Sequence, residues 1–368
     1  MAETAASTTT TTTTSSTTTT LPPVSSGWLV STVEASTDSG FGEDASLTAD
    51  HIRGQIHISY HDSTTYGDEA LRYATKGTAE VNWQISNIDS GGRKGKYSSI
   101  AFDSNGKVHI SYYDTLNSNL KYATNISGTW QVATVDASGA VGLYTSLALD
   151  ANDKVHISYL EDTSVIGYYN LKYATNNTGA WRTDTVETSL EGLGQTSIKV
   201  DSTGNVHIVY HKTSFKMRYA VGAFGSWTTE FFDLVSGYGF SSNQGALYLD
   251  SNDKPHVVYQ FNSGLRYAKK VSGLWETETI DDKGTNMSLV LSGSGKAYIS
   301  YIYYASPNYY LRYLSNVSGV WAYENVALID GVCDSSSVDI GIGGKLHIAY
   351  HTRSLDYSLG YLRYAVQR

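Results

Sequence analysis

Three histidines stand directly after copies of one strand motif. His61 follows Ile56-His-Ile-Ser-Tyr60, His211 follows Val206-His-Ile-Val-Tyr210, and His351 follows Leu346-His-Ile-Ala-Tyr350. An imidazole beside a phenol is the pair needed to abstract a proton next to a uronic-acid carboxylate, so His61 and His351 with Tyr66 and Tyr357 form one candidate catalytic set. The same loop-proximal positions carry acids, namely Asp62, Asp114, Glu161 and Asp162. Paired carboxylates of this kind serve glycoside hydrolysis when they stand about 5 to 9.5 Å apart, a separation that is spatial and not written in the chain order.

Tyrosines crowd the same segments. Tyr113, Tyr168, Tyr169, Tyr304, Tyr309 and Tyr310 follow or flank the motif, and Phe41, Tyr97, Tyr144, Tyr238 and Phe240 lie between successive units. Aromatic faces pack on the apolar faces of sugars while carboxylates accept from hydroxyls, so His61, Asp62, Tyr113, Asp114, Glu161, Tyr168, Tyr169, His211, Tyr304, Tyr309, Tyr310 and His351 are candidate ligand-binding residues. The competing reading is that Tyr is this repeat's preferred strand and surface residue, and both readings stand.

These residues are placed by a repeat. Trp28, Trp83, Trp130, Trp181, Trp227, Trp275 and Trp321 recur 46 to 55 residues apart, the length of one four-stranded blade. A second marker, exemplified by Val108-His-Ile-Ser-Tyr112, and a third, Leu-Lys/Arg-Tyr, follow the same period. Within a unit, Ser99–Asp103, Lys107–Tyr112, Leu120–Thr124 and Thr129–Val135 read as strands, each short, β-branched or aromatic and bounded by turn residues. The chain opens on a lone fourth strand at Trp28–Val33 and stops on a third strand at Leu362–Val366. The two ends complete one blade, which predicts an all-β, seven-bladed β-propeller of four-stranded antiparallel blades, closed by the N-terminal strand over residues 27–368.

Residues repeated once per blade do one job per blade. His57, His109, His156, His207, His256 and His347 in the second strand are therefore read as structural, like the tryptophans. Equivalent residues of adjacent blades stand about 10 Å apart, too far to share one metal ion with bonds of about 2 Å. No metal and no cofactor is expected.

Composition bounds the rest. Apolar residues make up 40% and charged residues 17%, with 34 Gly and only 4 Pro, and the net charge is −9 with dispersed basic residues. That balance argues against a nucleic-acid surface. No run of about 18 apolar residues suggests a membrane span, and the first residues lack the basic and apolar regions of a secretory signal. Cys333, the only cysteine, has no intramolecular partner. Residues 1–26, rich in Thr, are read as a disordered tail or linker, either a glycosylated stalk or a solvated spacer.

The segment Asp103-Ser-Asn-Gly106-Lys-Val-His-Ile-Ser-Tyr112 resembles the strand–turn–strand unit of NHL-type propellers and the Asp-box repeat of sialidase-like propellers and lectins. Its Asp-to-Gly spacing is one residue longer than the box, and His stands where the box favours Trp. Sialidase chemistry would imply three arginines gripping a carboxylate, whereas Arg72, Arg218, Arg266, Arg312 and Arg363 belong to the repeat. Some polysaccharide lyases are seven-bladed propellers with His/Tyr pairs, which the resemblance extends to His61 and His351. The favoured function is a non-catalytic, lectin-like module that binds a glycan or another surface ligand outside the cell. A polysaccharide lyase or other carbohydrate-active enzyme and a protein-binding scaffold remain the alternatives.

Overall fold

The computed structural model describes residues 25–36, 41–63, 69–192, 194–213, 216–233, 245–262, 264–356 and 358–368. Blade 2 shows how one unit forms. Its strands Lys96–Phe102, Val108–Asp114, Asn119–Thr124 and Gln131–Asp136 pair in chain order, from the centre outward. The first hairpin turns because Asp103 Oδ1 accepts the N–H groups of Asn105 (2.9 Å) and Lys107 (2.7 Å), and Gly106 supplies φ 74°. Asn125 Oδ1 accepts the Val108 N–H at 2.7 Å, tying the outer hairpin turn to the start of the second strand. All seven residues of Val108–Asp114 are buried, as a strand covered on both faces by neighbouring blades must be.

Seven such four-stranded sheets make a seven-bladed propeller. The closing blade is built from both ends of the chain. Trp28–Ser36 runs antiparallel to Gly360–Gln367, from Trp28 opposite Gln367 to Ser36 opposite Gly360, with one register shift between Thr32 and Glu34. Trp28 Nε1 donates to Glu324 at 3.2 Å and its ring lies 5.6 Å from that of Tyr313 in blade 6.

Apolar contact lies between blades, not at a common centre. One cluster joins Leu71 and Tyr73 of blade 1 to Ile100, Val108, Ile110 and Tyr112 of blade 2, with Trp130 against it. Polar contacts repeat with the same period. The second-strand histidine bonds the third-strand tyrosine of its own blade, as in His57–Tyr73 at 2.6 Å and His109–Tyr122 at 2.5 Å. That tyrosine meets the next blade's tryptophan edge to face, Tyr73 on Trp130 at 5.1 Å and Tyr122 on Trp181 at 5.1 Å. In blades 2 to 5 the imidazole Nε2 faces the turn aspartate, 3.2 Å away for His207–Asp201 and 3.6 Å for His109–Asp103. An Nε2–H directed at the carboxylate leaves Nδ1 to accept from the tyrosine hydroxyl.

A second clamp uses acids at the end of the outer strand. Glu187 accepts from Tyr210 and pairs with Arg218 at 2.6 Å, both in the next blade. Glu34, Asp233 and Asp281 take the same role toward Tyr60, Tyr259 and Tyr301. Blade 6 carries Ala327 at this position, and Tyr350 packs beside it in an apolar cluster.

Candidate functional site

The innermost strands surround a central channel, and a ring of serines forms its waist. Ser46 Oγ accepts the N–H of Ile100 (3.3 Å), Ser99 that of Leu147 (3.0 Å), Ser146 that of Ile198 (3.3 Å), and Ser337 that of Leu47 (2.9 Å). Each serine fastens its blade to the next. Blade 5 has Ala246 instead.

Above this ring, on the face where the inter-blade loops and second-to-third-strand loops emerge, the channel opens into a mouth of about 220 Å³ lined by Asp44, Tyr97, Tyr144, Gln195, Asn286 and Ser335. These occupy one position of the repeat, two residues before the serine. The innermost strands bulge there, with register shifts such as Glu43/Ser46, Lys96/Ser99 and Leu143/Ser146. At the bulge Asp44, Tyr97, Tyr144 and Asn286 take φ of 52°, 57°, 50° and 52°. Left-handed backbone at non-glycine residues is strained, and it recurs where side chains are re-aimed for function.

The bulge assembles an aromatic row. Tyr97 stacks on Tyr144 with centroids 4.2 Å apart and planes at 27°, and on Tyr113 at 6.2 Å and 26°. Burial raises the Tyr97 phenol above its ordinary range, and its contact with Tyr144 adds to this. Burial likewise raises the Asp44 carboxyl, opposed by the Tyr97 N–H it accepts at 2.8 Å. Next to it, Glu43 is raised by burial but held below its usual value overall by its bond to His61 and by the charges of His61, His351 and Lys96.

The candidate histidines are buried beside this mouth. His61 lies 3.6 Å from Glu43 and 3.3 Å from Glu69, and Glu69 also meets Arg93 at 3.3 Å. His351 lies 3.6 Å from Asp334, which pairs with Arg353 at 3.2 Å. Glu43 thus brings His61 and His351 to one side of the channel. His211 is buried in blade 4 and pushed down to about 4 by burial alone. Tyr66, Tyr357, Tyr238 and Phe240 lie outside the described residues.

The other candidates scatter. Asp62 pairs with Arg72 at 2.9 Å, buried Asp114 pairs with Lys94, and Glu161 accepts from Asn170 at 2.9 Å. Tyr113 and Tyr310 are buried, while Tyr168 and Tyr304 are exposed, the latter against Tyr309 at 4.7 Å. Tyr169 is half-buried and packs in the cluster that includes Tyr144. Sequence reasoning passed over Asp44, Gln195, Asn286 and Ser335. Their signal was a position that changes from blade to blade two residues before a nearly constant Ser.

Among the described residues no group of three or more His, Cys, Asp or Glu is placed to hold a metal ion, and no helix is long and apolar enough to cross a membrane. No family model matches the sequence, and no curated protein matches it. Solved structures with a similar fold include a protein of unknown function from Dyadobacter fermentans (TM-score 0.53, 10% identity, covering 92% of this chain and 99% of that one). A fucose-specific lectin from Aleuria aurantia matches with TM-score 0.52 and 16% identity over 79% of this chain and 97% of the lectin. An α-L-arabinanase of Penicillium chrysogenum, solved with arabinobiose, matches with TM-score 0.53 and 10% identity over 75% of this chain and 93% of that one. At these identities the likeness is one of fold alone: the seven-bladed β-propeller of this chain superposes on most of the lectin and of the arabinanase.

Proposed function

We propose that this protein is a non-catalytic recognition module that binds a neutral glycan at the loop-face mouth of its central channel. The observation that carries the reading is the convergence of Tyr97 and Tyr144, held parallel by the bulge, with Asp44, Gln195, Asn286 and Ser335. Rigid tyrosines offer apolar contact at small entropic cost, and a carboxylate, two amides and a hydroxyl accept from and donate to sugar hydroxyls. The lectin and the arabinanase among the similar folds support a carbohydrate-related role.

The charges favour a neutral ligand over a uronate. His61 and His351 are flanked by Glu43, Glu69 and Asp334, and the nearby Arg93 and Arg353 are already paired with two of these acids. A uronic-acid carboxylate would meet like charge there. Presentation outside the cell by the Thr-rich N-terminal segment completes the proposal.

A glycan array followed by calorimetry tests it. A binder is expected among neutral glycans, with affinity falling at least tenfold in Tyr97→Ala and Tyr144→Ala and unchanged in Tyr304→Ala. Absence of any glycan binder, or binding untouched in both mouth variants, overturns the reading.

A further inference from the structure

Below the serine waist the channel widens into a chamber of about 910 Å³ that reaches the opposite face. The repeat breaks down here as well. Two residues after the ring serine, the innermost strands carry small or apolar side chains in blades 2, 3 and 6, but Thr48, Lys199, Tyr248 and Asp339 in blades 1, 4, 5 and 7. Lys199 and Asp339 are the two charged residues at this level.

Their situations differ. Asp339 is engaged at the seam of blades 7 and 1: Oδ2 accepts the Ala49 N–H at 2.9 Å and the Thr48 hydroxyl at 3.2 Å, and Oδ1 accepts the Ile340 N–H at 2.8 Å. Lys199 has neither a hydrogen bond nor an ion pair among the described residues, and its ammonium lies 5.0 Å from the centre of the Tyr248 ring. Lys199 is partly exposed, and it lines the chamber. Its three N–H donors are left to whatever fills the chamber. The Asp339 charge acts on this ammonium without pairing to it, so its N–H donors are open to an acceptor in the channel.

We propose that the lower chamber is a binding site for a compact oxyanion, a carboxylate, sulfate or phosphate, held by the Lys199 ammonium. The chamber lies within the size range of small-ligand pockets, and the ring of Tyr248 forms its wall beside the amine. The titratable groups lining it besides Lys199 are Asp339, Tyr248 and, on the lower rim, His51. The site is separate from the channel mouth and does not depend on the glycan reading. Burial lowers the Lys199 pKa while the Asp339 charge opposes this, and a bound anion would draw it back up, so binding is accompanied by proton uptake at alkaline pH.

The experiment is calorimetric titration of the whole protein with acetate, sulfate and phosphate in parallel, which distinguishes the anion classes, on wild type, Lys199→Met, Lys199→Arg and Asp339→Asn. Saturable binding of at least one anion is expected. It should weaken at least tenfold in Lys199→Met, persist in Lys199→Arg, and tighten in Asp339→Asn as the opposing charge goes. Thermal unfolding without added anion controls for folding of each variant. No saturable binding by any of the three anions, or equal binding in a folded Lys199→Met, overturns the proposal.

Discussion

A histidine that bonds a tyrosine through Nδ1 and is shut from water has little tendency to take up a proton. Burial pushes His57 and His347 from 6.5 down to about 4, and moves His109, His156, His207 and His256 in the same direction. Between pH 6.5 and 4 the unfolded chain therefore binds protons that the folded chain refuses, so stability present above pH 6.5 is lost as pH falls through that window. A shift of this size contributes on the order of 3 kcal/mol per histidine. NMR titration should find the His57 and His347 imidazoles neutral down to about pH 5, and either ring titrating near 6.5 would contradict this. A second residue-scale test concerns hydroxyl pairs between blades. Ser59, Ser111, Ser158 and Ser300 of the second strand meet Ser98, Thr145, Thr196 and Ser336 of the next blade. Where the second strand has Val209, Val258 or Ala349, the next blade has Gly245, Met287 or Ala45. Polar meets polar and apolar meets apolar. Ser111→Ala should cost about 1–2 kcal/mol by stranding the Thr145 hydroxyl, and adding Thr145→Val should recover about 1 kcal/mol of it in urea unfolding. Additive losses would show that the pair is not coupled. This covariation is written in the sequence, but reading it requires knowing which positions of successive units face each other.

At the scale of the element, the outer strand contributes one acid to the seam with the next blade. Glu187 meets Tyr210, Arg218 and Lys212, the last at 3.0 Å. Glu187→Ala should destabilise by about 3 kcal/mol, since it leaves two partly buried cations without a counter-charge, while Glu187→Gln should lose less. Equal unfolding midpoints for wild type and Glu187→Ala would show that the clamp is idle. The strands themselves were legible because alternation, turn chemistry and the tryptophan spacing all mark the same boundaries. The bulge was not. It depends on left-handed backbone at Asp44, Tyr97, Tyr144 and Asn286, residue types that carry no common conformational signature, so the side chains it turns into the channel could not be told from ordinary strand residues.

For the whole molecule, ring closure is the organising fact. The pairing of Trp28–Ser36 with Gly360–Gln367 was legible from the unmatched strands at the two ends of the repeat. Convergence at the axis was not, because residues as distant as Asp44, Asn286 and Ser335 meet only once the ring is sealed. Removing residues 1–36 should expose the Gly360–Gln367 edge and take Glu34 from Tyr60 and Arg72, with a drop of more than about 4 kcal/mol in stability and a tendency to associate through the bare edge. An unchanged melting temperature and a monomeric truncated protein would contradict this dependence. The repeat supports the ring, and recognition is assigned to its axis, where the repeat breaks down. The most direct measurement is a crystal structure of the protein with a bound neutral oligosaccharide: sugar density over Tyr97 and Tyr144, with hydroxyls bonded to Asp44, Gln195 or Asn286, is the predicted result. Sugar seated between blades or on the outer strands, with the mouth unoccupied, would contradict it.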